Sequence, residues 1–470
     1  MLARNGKFVE KMDLSRYLLL VLMVFSSTFF IYKDFGIRML WGYGVLGLLL
    51  GVQCVHNVLR RQWPGVSVIE AAFAVLVATV GISFLRPDAN RTSDLTAYII
   101  AMMISFGYLA LAKPDQMQLR RLMQTAMVSA LVFAGFVLIC STFRGLFWNG
   151  YYPILAEASK AYADRYIPRG YSPVLGGSCT YTDYIMMIGI GVFGGKFMAE
   201  RGDKNPGKYL SLGVMALLVF AIAVVGRRGE LLGVAAALVV LWILMGRGKG
   251  RWIRLAYLAG GAVAALGIVI LLLPLLKEVD FLRRYVMTVE KLLAGQDITS
   301  GRTELYAQAL ELFLEKPVFG IGWGQFANHV TPEFLAEHGP DVANVHNIYL
   351  EFLCEVGITG AIFLIVPMFY LLVQTIRQFS RLHDAPGDTE SWRLAVQLNT
   401  VSLTVQLFFL LVGMLDPCFS KLTFWAIYAL AIKLFSCAVA LEGYEHNDIF
   451  ARAWSRFVKT ITGLNKKRRI

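Results

Sequence analysis

Three stretches hold residues whose types and spacing suit chemistry on an anion. The first, Val224–Gly233, reads VVGRRGELLG and joins two apolar runs by a very tight connection that holds Arg227, Arg228 and Glu230. An arginine near membrane depth costs about 2.5–3.5 kcal/mol on insertion scales. A retained pair points to an anion, because each guanidinium offers a planar fork that matches phosphate oxygens; the plainer reading is a solvated hairpin tip in which Glu230 partly neutralises the pair. The second begins ITSGRTELYAQALELFLEKPVFG at Ile298. Thr299 or Ser300 is expected to cap a helix that runs to about Lys316 and stops at Pro317. Arg302 falls in its first turn, near amides that also favour an anion. The third, NVHNIYLEFLCEVGITG, carries His346. An imidazole can be neutral near pH 7 and accept a proton from a sugar hydroxyl; the alternative is an interfacial histidine bonded to a backbone carbonyl. His329 and His338 read as ordinary loop residues.

Metal and nucleotide chemistry find less support. The chain has no DxD pair; its nearest equivalent, Glu278-x-Asp280, sits at the end of an apolar run. No His/Cys cluster has metal-ligand spacing. Gly320, Gly322 and Gly324 resemble a phosphate loop only superficially, since they follow a helix and no lysine is placed to reach a phosphate. The expectation is a metal-free reaction without a cofactor, with arginines supplying the electrostatics of a divalent ion. The six cysteines lack CxxC spacing and read as packing residues, although a Cys140–Cys179 bridge is geometrically conceivable.

The elements that must position these residues are membrane helices. Of 470 residues, 57% are hydrophobic and 16% charged, with a mean hydropathy of +0.58. That excludes a water-soluble globular enzyme, in which about a quarter of residues would be charged. Apolar runs of spanning length cover Tyr17–Tyr32, Met39–Val55, Val68–Leu85, Leu95–Leu111, Leu122–Thr142, Tyr181–Phe197, Leu210–Val225, Leu231–Met245, Leu255–Leu276, Gly357–Val373, Leu394–Leu415 and Thr423–Leu441. About twelve spans place both termini on one side, and that side carries the basic clusters, from Arg4, Lys7 and Lys11 to the tail ending KKRRI. By the positive-inside rule the termini are cytoplasmic.

The net charge of +13 thus reflects topology, with no nucleic acid implied, and the tail is read as touching anionic membrane lipids. The expected fold class is an all-α polytopic membrane protein with a large helical periplasmic loop. Residues 1–276 hold spans one to nine and a first long loop at 143–180. Residues 277–345 form the large loop, 346–441 the last three spans, and 442–470 the basic tail. In the large loop, Leu305, Ala309, Leu312 and Phe313 form one apolar stripe that lays its helix on the membrane surface or the bundle.

Residues 300–372 resemble the O-antigen ligase/polymerase superfamily. Arg302–Leu305 is similar to its RxxL element, and PVFGIGWG from Pro317 to its P-x-x-G-x-G turn. His346 and Gly357, with ten residues between them, are similar to its Hx10G element, in a matching HNxYLExxxExGxxG context. More loosely, Arg228 resembles the arginine at the start of the family's span after the seventh, and Arg169, in RGYSPVLGG, the arginine before its sixth. The resemblance implies a GT-C type glycosyltransferase of a bacterial inner membrane, with its active site on the periplasmic face. Such enzymes move a glycan from undecaprenyl diphosphate to an acceptor; the ligase branch uses lipid A–core oligosaccharide, needs neither metal nor ATP, and inverts the anomeric carbon. It also implies that Arg228 and Arg302, with Arg169 or Arg227, hold the diphosphate while His346 acts as general base. Relatives are polymerases, whose first long loop shows the spacing also seen between Arg165 and Gly176, or protein O-oligosaccharyltransferases. A twelve-span transporter or lipid flippase is the alternative from another class, kept open by Lys433 within a span.

Overall fold

The computed structural model describes residues 13–27, 39–59, 68–87, 89, 93–155, 157–175, 179–200, 206–246, 250, 252–258, 260–261, 282–296, 299, 301–334, 344–384, 387–418 and 422–442, which form helices and connections without a strand among them. The chain is an all-α polytopic membrane protein. Its helices are α1 (Leu14–Ser27), α2 (Met39–Leu59), α3 (Val68–Leu85), α4 (Ser93–Leu111), α5 (Gln116–Thr142), α6 (Glu157–Tyr166), α7 (Cys179–Ala199), α8 (Gly207–Val225), α9 (Arg228–Leu244), α10 (Arg283–Leu293), α11 (Arg302–Glu315), α12 (Ile348–Asp384), α13 (Glu390–Val412) and α14 (Leu422–Leu441).

Eleven of the twelve expected runs coincide with one of these helices; the ninth is helical at 255–258 and 260–261 and otherwise lies outside the described residues, as do His338, Glu278, Asp280 and the basic tail beyond Glu442. Among the described residues, six helices are long and apolar enough to cross a membrane, within α2, α5, α8, α12, α13 and α14, and three shorter apolar stretches lie in α1, α3 and α4. Helices α7 and α9 stand apart because polar residues begin them, Thr180, Thr182 and Asp183 in one and Arg228 and Glu230 in the other.

Helix α13 is the axis of the bundle: it packs against α7, α9, α12 and α14, and 89% of its most apolar window is buried. Gly233 brings α9 close to it, since a Cβ there would overlap the Val412 side chain; small residues permit such approach between membrane helices. Polar side chains join α12 to α13, where the Gln406 amide donates to Thr375 Oγ1 at 2.8 Å and to Ser402 Oγ at 3.0 Å. All six cysteines are free thiols. The conceivable Cys140–Cys179 bridge is not formed, and Cys179 is instead hydrogen-bonded with Tyr162.

Connections meet at one end of the bundle in the set that the apolar runs require. The 86–91 connection, the first long loop, the Gly226 turn, the second long loop and the 413–418 turn touch one another there: Ser172 N donates to Val225 O at 3.2 Å, and Arg86 donates to the carbonyls of Phe319 and Gly320. At the other end, Arg120 pairs with Glu390.

The second long loop builds a small lobe with its own apolar core of Leu305, Ala309, Leu312, Ile321, Phe326, Val330, Phe334, Val345 and Cys354, against which Phe313 packs. The apolar stripe of α11 therefore faces the lobe interior, and α11 rests on α12. Its N-cap differs from expectation. Gly301, in the left-handed region at φ 79°, takes that position with no side-chain cap, Thr299 Oγ1 lies 3.2 Å from Thr303 Oγ1, and Ser300 is outside the described residues.

Two glycines lock the lobe to the bundle. Gly357 breaks the helical path of α12 at φ 68° and ψ −177°, which frees the carbonyls of Cys354 and Glu355; Ile321 N and Gly322 N donate to them at 2.8 and 2.9 Å. In return, Ile358 N donates to Pro317 O at 2.8 Å. Gly320, also at φ 68°, lies so close that a Cβ would overlap the Glu355 carbonyl, and a Cβ on Gly357 would overlap that of Val318. The Glu355 carboxylate then accepts from Gly324 N at 2.8 Å and Phe326 N at 3.0 Å. The glycine series is thus a docking surface for backbone, with the amides of Gly324 and nearby Phe326 committed to a carboxylate.

Gly320→Ala or Gly357→Ala should each destabilise the detergent-purified protein by at least about 1–2 kcal/mol from the left-handed backbone alone, measured as a lower thermal unfolding midpoint. Gly135→Ala, at a position with open space around it, should leave the midpoint unchanged or raise it; equal effects at all three sites would contradict this account.

Candidate functional site

The two arginines of the tight connection separate because the backbone changes course between them. Gly226 ends α8 in the left-handed region at φ 89°. Arg227 follows in an extended conformation as N-cap of α9, and Arg228 is already helical. Arg227 turns into the bundle. Its Nη2 lies 2.6 Å from Glu230 and 3.3 Å from Asp416, and its Nη1 donates to Thr180 Oγ1. Asp183, one turn along α7 from Thr180, is fully buried and within electrostatic reach of Arg227 and Glu230. Glu230 neutralises Arg227 alone, not the pair; its side chain is 2% exposed and that of Arg227 17%.

Arg228 points the other way. It donates to Thr288 Oγ1 of α10 at 2.5 Å and shares its surroundings with Arg284 and Arg302, each close enough to repel it. Arg284 lies over the Tyr171 ring, 3.6 Å from its centroid, and donates to Gly226 O at 3.1 Å. Guanidinium groups stack readily on aromatic faces, and Gly170 makes room, since a Cβ there would sit 2.9 Å from Arg284 Cγ. Neighbouring Tyr285 donates to Ala223 O at 2.9 Å, and burial pushes its phenol up, so it stays neutral. Arg302 donates to the main-chain carbonyl of Leu415 at 2.7 Å. Among the described residues, none of these three guanidiniums forms an ion pair with a carboxylate, although Glu230 lies within electrostatic reach of Arg302.

His346 joins this group through α11. Tyr306, one turn after Arg302, has its hydroxyl 3.3 Å from Met414 O and 3.4 Å from His346 O. Among the described residues His346 is the one non-glycine with positive φ, at 56°. The reason is local. Asn347 Oδ1 accepts from Tyr349 N at 3.0 Å and Leu350 N at 3.2 Å, which makes Asn347 the cap of α12. Ile348 N donates to Gly413 O at 2.8 Å and Tyr349 Oη to Leu410 O at 2.7 Å. His346 must therefore turn sharply to enter a helix start pinned to the end of α13.

The other expected residues lie apart. Arg169 is exposed on the turn beside Gly170 and makes no hydrogen bond or ion pair among the described residues; Gly170 and Tyr171 are what meet Arg284 there. His329 bonds the Gln325 carbonyl through Nδ1 at 2.9 Å. The 413–418 turn, unnoticed in the sequence, anchors Arg227, Arg302, Tyr306 and Ile348 together. Arg284 was equally hidden, although the Arg283-Arg284 pair in FLRRYV is another arginine doublet of the chain.

Residues 213–365 match the O-antigen ligase family (Wzy_C). The match takes in about a third of the chain and supports membership of the O-antigen ligase superfamily. The matched stretch runs from α8 into α12 and takes in Arg227, Arg228, Arg284, Arg302, His346 and Gly357. Tyr171, Thr180 and the Leu415–Asp416 dipeptide brace the cluster from outside the match. No curated protein matches the chain.

Opposite commitments of neighbouring arginines predict unequal stability effects. Arg227→Met strands buried carboxylates and should cost about 3–5 kcal/mol, read as a large fall in unfolding midpoint in detergent. Arg228→Met should cost about 1 kcal/mol or less, one hydrogen bond. A larger loss for Arg228→Met would refute the division.

Proposed function

We propose that the chain is an O-antigen ligase that transfers a glycan from undecaprenyl diphosphate to lipid A–core oligosaccharide at the periplasmic face of a bacterial inner membrane. The observation that carries this reading is the gathering of Arg228, Arg284 and Arg302, without a carboxylate ion-pair partner among the described residues, beside the segment that bears His346. Three like charges held together repel one another, and a diphosphate relieves that repulsion with forked, charge-assisted hydrogen bonds. The family match supports the substrate class.

In the reaction, the acceptor hydroxyl attacks the anomeric carbon from the face opposite the diphosphate. The bond between that carbon and the diphosphate oxygen breaks, inverting the centre, and the oxygen leaves with growing negative charge. Arg228 and Arg302 stabilise that charge, with Arg284 added to the set. Arg169, on the neighbouring exposed turn, remains a candidate for the outer phosphate. Arg227 is assigned a different part, as the buried counter-ion that sets where Arg228 begins. His346 accepts the proton of the attacking hydroxyl, and no metal or cofactor is required. Polymerase and protein O-oligosaccharyltransferase activities use the same donor chemistry and differ in the acceptor.

His346→Ala and Arg302→Ala should abolish transfer in reconstituted vesicles while the protein still inserts and elutes normally; removing one such charge contact typically costs about 2.7–4 kcal/mol, or ~10²–10³ in rate. Arg228→Lys should also transfer poorly, because a point charge does not reproduce the fork, and EDTA should leave the rate unchanged. The decisive assay offers the lipid-linked glycan together with either core lipopolysaccharide or a second lipid-linked glycan. Product on the second alone would make the chain a polymerase, and an unimpaired His346→Ala variant would remove the general-base role.

A further inference from the structure

Beneath the three exposed-side arginines lies a second charged group with an excess of the opposite sign. Glu230 from α9 and Asp416 from the 413–418 turn pair with Arg227, Asp183 of α7 lies within electrostatic reach of it, and each carboxylate is buried. Neither oxygen of Asp183 has a hydrogen-bond partner among the described residues, and Asp416 Oδ2 has none either. Asp183 follows Thr180 by one turn of α7, and the Thr180 hydroxyl accepts from Arg227. Asp183 lies within electrostatic reach of both Glu230 and Arg227.

The other titratable groups facing this space are neutral hydrogen-bonding types. Tyr184 and Cys179 come from α7 itself, Tyr162 from α6, Tyr285 from α10 and Cys418 from the turn. The additional cations within reach are those of the arginine cluster, through Arg302 and Glu230. Among the described residues no group of three acidic, His or Cys side chains has the spacing to hold a metal ion. Three carboxylates around one guanidinium out of water cannot all stay ionised without a compensating charge.

We propose that this group is a proton-binding site coupled to donor binding: Asp183, with Glu230 and Asp416, takes up a proton when a diphosphate occupies the arginine cluster. The inference rests on the diphosphate reading above. Two pairs of covalent neighbours join the sites, Arg227 with Arg228 and Leu415 with Asp416, so the charges cannot move apart. In the empty protein the three outer arginines help to balance the excess carboxylate. A diphosphate diester brings two negative charges to those arginines and removes that balance, and a proton restores it. By reciprocity, the proton must strengthen donor binding as much as the donor strengthens proton binding.

Calorimetric titration of the full-length protein in detergent tests this, with a polyprenyl-diphosphate-linked monosaccharide as probe. Its diphosphate diester does not titrate near neutrality, so any proton exchanged belongs to the protein. Runs in two buffers of different ionisation enthalpy should give net uptake approaching one proton per probe bound, with affinity falling as pH rises, by at most about tenfold per pH unit. Asp183→Asn, which mimics the protonated acid, should bind at least as tightly and lose most of the uptake. Binding with no proton exchange in the unaltered protein overturns the inference and leaves the diphosphate reading standing, whereas absence of any binding overturns both. Sodium-dependent binding, compared with choline buffer, would also overturn it by giving the site to a metal cation.

Discussion

A single buried guanidinium governs this end of the bundle. Arg227 ties α7, α9 and the turn after α13 together through Thr180, Glu230 and Asp416. Removing one partner from such a buried group leaves uncompensated charge, which is more costly than the pair was worth. Because Arg227 is fixed, the start of α9 is fixed, and Arg228 has to emerge on the other side. The same turn that holds Arg227 through Asp416 offers the neighbouring carbonyl, Leu415 O, to Arg302.

The lobe depends on a second constraint, the exchange of backbone hydrogen bonds between the Gly320–Gly322 turn and the break in α12 at Gly357. A helix interrupted inside a membrane protein must find partners for the carbonyls it frees. Here a loop from the lobe supplies them. The arrangement keeps α11 on α12, and with it Arg302 and Tyr306 close to His346. The spacing between His346 and Gly357 thus spans from a capped helix start to the break that docks the lobe.

Hydropathy alone makes the bundle legible, because period and length of apolar runs report membrane helices directly: Val68–Leu85 was readable to the residue. The lobe was readable as a segment, and its apolar stripe was correctly read, yet its helix cap was not. A serine or threonine before a helix is the usual signal, and Gly301 does the job through backbone geometry that leaves no such mark. At the site, Arg228, Arg302 and His346 were visible as unusual residues in short motifs, and the structure brings their segments together. Arg227 looked the same as Arg228 in sequence; only the third dimension shows that one faces acids and the other faces arginines. Arg284 and Asp416 escaped because their significance lies in partners far along the chain, Tyr171 and Arg227, rather than in any local spacing.

Several of the contacts that orient this cluster end on main-chain oxygen. Arg284 reaches Gly226 O, Arg302 reaches Leu415 O, and Tyr306 reaches toward Met414 O and His346 O. A carbonyl is present whatever side chain its residue carries. At positions 414 and 415 the acceptors therefore belong to the path of the backbone and not to the residue type, so a substitution that keeps that path keeps the contact.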